Sequence, residues 1–221
     1  MKKVVIFLAI VLLSSCTNGQ NTPTNIKTMI TDQTDYSDSW ELVRKYIDDQ
    51  LPASAAKELA EIETAARANE NYSQLIKVAI FRARINLEFE EATSENTIHT
   101  FDSLIQASSF PEKNVYYSLT AELYSSYYDE NSWKLNGNVA SDTRPEDLTA
   151  WSREDFKNIS YEYYIKSLED ADKLKKIPLE QYDDIINKGI DSRNLRPTLY
   201  DFLAHRAINF FFRTVEQPPW C

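Results

Sequence analysis

Two histidines, His99 and His205, are the only imidazoles in the chain. They lie far apart and form no H-E-x-x-H, so a zinc site would need ligands from distant carboxylates. Both read as ordinary helix histidines, and no metal or other cofactor is expected. The acidic pairs Glu90-Glu91 and Asp183-Asp184 are the right residue types for acid–base work on a glycoside. Adjacent helix positions, however, point about 100° apart and do not face one reacting atom. These pairs read as a solvated acidic face. Asp32, Asp35 and Asp38 recur at every third residue, not at the alternate positions of an EF-hand loop. Thr214-Val215-Glu216-Gln217 carries the last two residues of a C-x-E-Q thioester box. Thr214 stands at the cysteine position and Cys221 follows the glutamine. A hydroxyl supplies no thiolate, so no thioester is expected. No catalytic residue emerges, and the chain reads as a non-enzyme.

Tyrosine offers a different chemistry. Tyr116, Tyr117, Tyr124, Tyr127 and Tyr128 sit close in sequence, and Tyr161, Tyr163 and Tyr164 form a second set. A phenol joins a flat apolar face to a polar tip, so open tyrosines contact sugars or proteins. The favoured reading is packing between helices. Tyr124, Tyr127 and Tyr128 are the candidate ligand platform if their rings are open.

Composition narrows the classes further. The chain has 221 residues, a net charge of −10 and only three glycines, Gly19, Gly137 and Gly189. Three isolated glycines rule out G-x-G-x-x-G, the P-loop and the G-x-S-x-G elbow, which need sharp turns or close approach to phosphate. The acidic balance argues against nucleic acid, whose binders present a basic face.

The N-terminus reads as a targeting segment. Lys2 and Lys3 precede an apolar run from Val4 to Leu13. Ten residues of helix span about 15 Å, half a bilayer core, so this is no membrane span. Leu13-Ser14-Ser15-Cys16 follows, in the apolar-small-small-Cys pattern of a bacterial lipobox. Residues 1–15 are therefore expected to be a lipoprotein signal peptide and Cys16 the lipid-attachment residue, with the protein held in the bacterial cell envelope, on the periplasmic side of a membrane or at the cell surface. Residues 16–37 are mostly polar and read as a flexible tether.

From there the hydrophobic period is helical. Trp40, Val43, Ile47 and Leu51 form one stripe; Ala55, Leu59, Ile62 and Ala66 a second; Leu75, Val78, Ala79, Arg82, Ile85 and Phe89 a third. Ile98, Phe101, Leu104 and Ile105 mark a fourth helix, and Pro111 opens a fifth through Val115, Leu119 and Leu123. Starts expected near Ser54, Ser73, Ser94 and Glu112 are 19, 21 and 18 residues apart. Helices of that length with short connections lie antiparallel, and pairs recurring about every forty residues suit an α-solenoid. Residues 136–150 read as the long internal loop. Ser152 with Asp155, and Thr198 with Asp201, form capping boxes. Pro178 begins a shorter helix for which Gly189 is a natural stop. The last helix ends in Phe210, Phe211 and Phe212, which cover too much of its circumference for a free surface and mark a candidate interface.

The string Leu195-Arg196-Pro197-Thr198-Leu199-Tyr200-Asp201-Phe202-Leu203-Ala204-His205-Arg206-Ala207 resembles the helical N-terminal region of bacterial alpha-2-macroglobulin family lipoproteins of the Bacteroidota type. Gln74-Leu75-Ile76-Lys77, Ala121-Glu122-Leu123-Tyr124 and the segment from Ile177-Pro178-Leu179 to Gly189 add to it. Proteins of that family are large protease traps with a bait segment and macroglobulin β-domains. The bait, the thioester and the β-domains have no counterpart in these residues, so the resemblance implies an accessory helical module.

The expectation is thus an all-α, TPR-like solenoid of antiparallel hairpins over 38–213, followed by a short tail, 214–221, leading to a further domain. It would act as a lipid-anchored spacer or protein-docking platform of a macroglobulin-like protease inhibitor, partnered by the membrane and by macroglobulin domains or another envelope protein. The alternative is a SusD-like glycan-binding lipoprotein using the tyrosine platform.

Overall fold

A computed structural model describes residues 35–89, 92–140, 143–186 and 192–215. Cys16, Asp32, Glu90-Glu91, Gly189 and the tail beyond Val215 lie outside the described residues. The described chain is helical, and its only β feature is a single antiparallel bridge between Pro178 and Thr198. The principal helices are α1 (Ser37–Asp48), α2 (Pro52–Ala68), α3 (Tyr72–Phe89), α4 (Ser94–Ala107), α5 (Glu112–Leu135), α6 (Arg153–Lys166) and α9 (Leu199–Val215). Two single turns, α7 (Ala171–Leu174) and α8 (Ser192–Leu195), lie between α6 and α9. None of these helices is long and apolar enough to cross a membrane.

Each connection is closed by local hydrogen bonds. Gln50 and Glu70 take left-handed backbone angles, φ 58° and 50°. The Leu51 amide then donates to the Tyr46 carbonyl at 2.7 Å, and the Asn71 amide to the Ala66 carbonyl at 2.9 Å. These are Schellman stops built without glycine, and they reverse the chain after α1 and α2. The first stop also corrects the expected stripe: α1 ends at Asp48, and Leu51 turns outward, 47 % exposed.

Helix starts follow the same logic, with two corrections. α2 begins at Pro52 and not near a Ser54 cap, because proline is pre-set for the first helical position. α4 is capped by Thr93 in place of Ser94, since only Thr93 can exchange hydrogen bonds with Asn96 three residues on. The boxes Ser152–Asp155 and Thr198–Asp201 form as read.

The pairs α1 with α2, α4 with α5 and α5 with α6 pack as antiparallel neighbours. The Asn69 amide at the end of α2 meets the Tyr36 hydroxyl at the start of α1. Phe101 of α4 meets Tyr116 of α5, and the Asn114 amide at the start of α5 donates to the Ser167 carbonyl just past α6. The helix α3 is the spine. Leu75, Val78, Phe81 and Ile85 bury one face against α1 and α2, and Ile76, Ala79, Ile80 and Ala83 bury the other against α4, α5 and α9. A helix apolar on two faces is stable only when covered on both. Tyr124, Tyr127, Trp151 and Phe156 make a separate aromatic core where α4, α5 and α6 meet. The even spacing of helix starts stops at α5, which runs 24 residues before the loop to α6.

Candidate functional site

A groove of about 890 Å³ runs between the start of α1, the α2–α3 corner and the segment around Tyr182. That segment is held by the Pro178–Thr198 bridge. The Leu179 amide donates to the Pro197 carbonyl at 3.0 Å, and the Leu199 amide to the Ile177 carbonyl at 2.9 Å. Tyr182 buries its ring in the core, which leaves Asp183 and Asp184 at the rim.

Gln74 sits at the floor and is only 3 % exposed. Its carbonyl oxygen accepts from the Trp40 indole at 2.6 Å, and its amide donates to Asp184 Oδ2 at 2.7 Å. Both ends of the amide are thereby fixed. Lys77, three residues on and hence on the same helical face, lays its Nζ 4.3 Å from the centroid of the Trp40 ring. Burial pushes the Lys77 amine below its ordinary range; Asp184 draws it back up, and Arg44 pushes it further down. The groove thus combines a buried aromatic floor, an oriented amide and a desolvated amine.

A second recess, of about 570 Å³, opens between α5, α6 and α9, beside Asp129, Arg153, Lys157 and Arg213. Its neighbourhood is a clamp. Glu122 of α5 accepts from the Tyr164 hydroxyl of α6 at 2.6 Å and lies 3.5 Å from Arg213 of α9. Arg206 Nε donates to Ser118 Oγ at 2.8 Å, a further tie between α9 and α5.

The tyrosines divide. Tyr124 and Tyr127 are buried, 4 % and 9 % exposed, and stack on Trp151 and Phe156. Tyr128 is half-buried and donates to Asn136. The three do not form one open platform. Tyr124 and Tyr163 instead both donate to Asp102, at 2.6 and 3.0 Å, so one carboxylate joins α4, α5 and α6.

The three phenylalanines divide too. Phe210 is buried on Tyr164 with ring centroids 5.0 Å apart, and Phe211 lies 5.1 Å from Tyr161. Phe212 is 64 % exposed, and Ile208, one turn before it, is 48 % exposed. On the neighbouring α6, Tyr161 and Ile165 are exposed as well, which leaves an apolar seam open to solvent.

The remaining candidates are scattered. His99 lies on α4 near Glu95, and His205 on α9 is held by Arg196 and Asn209. No cluster that could hold a metal occurs among the described residues. Asp35 accepts from Ser37 at the start of α1. The Thr214 hydroxyl is spent on the Phe210 and Phe211 carbonyls of its own helix. Comparison with protein-family models, curated proteins and solved structures finds no match for this chain.

Proposed function

We propose that this chain is a non-enzymatic, lipid-anchored helical module of a macroglobulin-like protease inhibitor, a TPR-like stack that serves as spacer and docking platform in the bacterial envelope. The anchor is Cys16; the partner surface is the seam on α6 and α9. One observation carries the docking part: Phe212 and Ile208 stand exposed on a helix whose other face is fully packed. Contiguous apolar surface of this kind marks an interaction site. The lipobox and the Leu195–Ala207 string support the envelope and family parts.

A photo-crosslinking phenylalanine analogue at position 212 tests the surface in cells. The proposal expects a cross-link to a macroglobulin β-domain of the same polypeptide. Efficient cross-linking to lipid alone, or none, would contradict it.

A further inference from the structure

One charged group in the groove is left without a partner by the fold. Lys77 is only 9 % exposed. Its ammonium carries three donors, yet among the described residues it makes no hydrogen bond or ion pair and rests on the Trp40 ring alone. Asp184, the nearest acid in the electrostatic balance, gives an oxygen to Gln74 instead. Arg44 of α1 lines the same groove and likewise has no ion-pair or hydrogen-bond partner among the described residues. Two cations therefore line one recess, neither tied into an ion pair among the described residues, although Asp35, Glu70, Glu180, Asp183 and Asp184 line it too.

We propose that the groove binds a peptide carboxylate, held between the Lys77 ammonium and the Arg44 guanidinium above the Trp40 ring. Three features choose this ligand. The volume of about 890 Å³ exceeds what a lone carboxylate fills. Gln181 places an amide on the wall, and Asn71, whose side-chain carbonyl oxygen accepts from Ser73 Oγ and the Gln74 backbone amide, keeps its own amide N–H groups for a peptide carbonyl. The five carboxylates of the lining, Asp35, Glu70, Glu180, Asp183 and Asp184, repel a doubly charged anion more than a singly charged one and so disfavour phosphate relative to a carboxylate. The site is separate from the α6–α9 seam, so either proposal can fail without the other.

The test uses the full chain labelled with nitrogen-15, following the Trp40 indole N–H and the Lys77 side chain by NMR. The probes are acetyl-trialanine with a free carboxylate, its C-terminal amide, and acetyl-Ala-Glu-Ala amide. Saturable shifts with either acidic peptide support the proposal, and the one that binds tells whether a chain terminus or an acidic side chain is the source. Binding of the plain amide should be weaker by about tenfold or more. Lys77→Met should lose the acidic peptide to a similar degree, and Lys77→Arg should keep it. If Lys77→Met does not fold, Arg44→Ala should weaken binding several-fold. Equal binding of acid and amide, no shift with any peptide, or tighter binding of inorganic phosphate would each overturn it.

Discussion

Lys77 holds its ammonium 4.3 Å from the centroid of the Trp40 ring, while the indole N–H of that ring donates to Gln74. The aromatic face thus serves a cation and its edge serves an amide. A buried lysine in this position lowers stability, because burial outweighs the help from Asp184 while Arg44 adds repulsion.

The sign of that cost is testable. The folded-state pKa lies below the unfolded one, so the penalty is full at neutral pH and is lifted as pH rises through the folded value towards about 10.4. Lys77→Met keeps the stem and removes the charge. It should raise stability at neutral pH by about 1 kcal/mol, after loss of the cation–π contact. Denaturation curves should show this advantage shrinking at alkaline pH. A variant that is less stable at neutral pH would contradict the assignment.

Asp102 joins three helices by accepting from Tyr124 and Tyr163. Asp102→Ala leaves both phenols without an acceptor, at a cost of about 2–4 kcal/mol. Urea unfolding should show it, with both tyrosine resonances displaced. Tyr163→Phe in the Asp102→Ala background should cost little more, because the two share one acceptor.

The glycine-free Schellman stops store strain. Gln50 and Glu70 pay for left-handed backbone that glycine adopts freely. Gln50→Gly and Glu70→Gly should each raise stability by up to about 1 kcal/mol, read as higher melting temperatures. A loss at both sites would mean that their side chains contribute more than the backbone relief.

Much of this scaffold is visible in the residues themselves. Ala55, Leu59, Ile62 and Ala66 recur on one helical face and are all buried. Ser152 and Asp155 stand three apart and exchange the hydrogen bonds that a capping box requires. Adjacent hydroxyls blur the picture at Thr93 and Ser94, where Asn96 decides which one caps. The groove was not legible. Trp40 and Gln74 are 34 residues apart and Gln74 and Asp184 are 110 apart. They come from α1, from α3 and from the segment after α7, and no local period links them. Asp184 reads in sequence as half of a solvated acidic pair, and nothing around it signals a buried glutamine as its partner. The tyrosines were ambiguous for a related reason: spacing shows which share a face, but not that Trp151, beyond the loop, covers Tyr124.

The proposed anchor makes a prediction of its own. Acyl chains contribute about 0.8 kcal/mol per buried methylene, so a lipidated Cys16 holds the chain on the membrane without a spanning helix. Cys16→Ser should move the protein from the membrane pellet to the soluble fraction. A variant that still pellets with membranes would show that something other than a lipid at Cys16 holds it there.

The family reading is tested most directly by the mass of the natural polypeptide that carries this helical stack. An immunoblot of the source cells, probed with an antibody raised against residues 38–213, should reveal a membrane-bound species several times heavier than 25.6 kDa. A single band near 25.6 kDa would contradict a place for this chain inside a macroglobulin-like inhibitor.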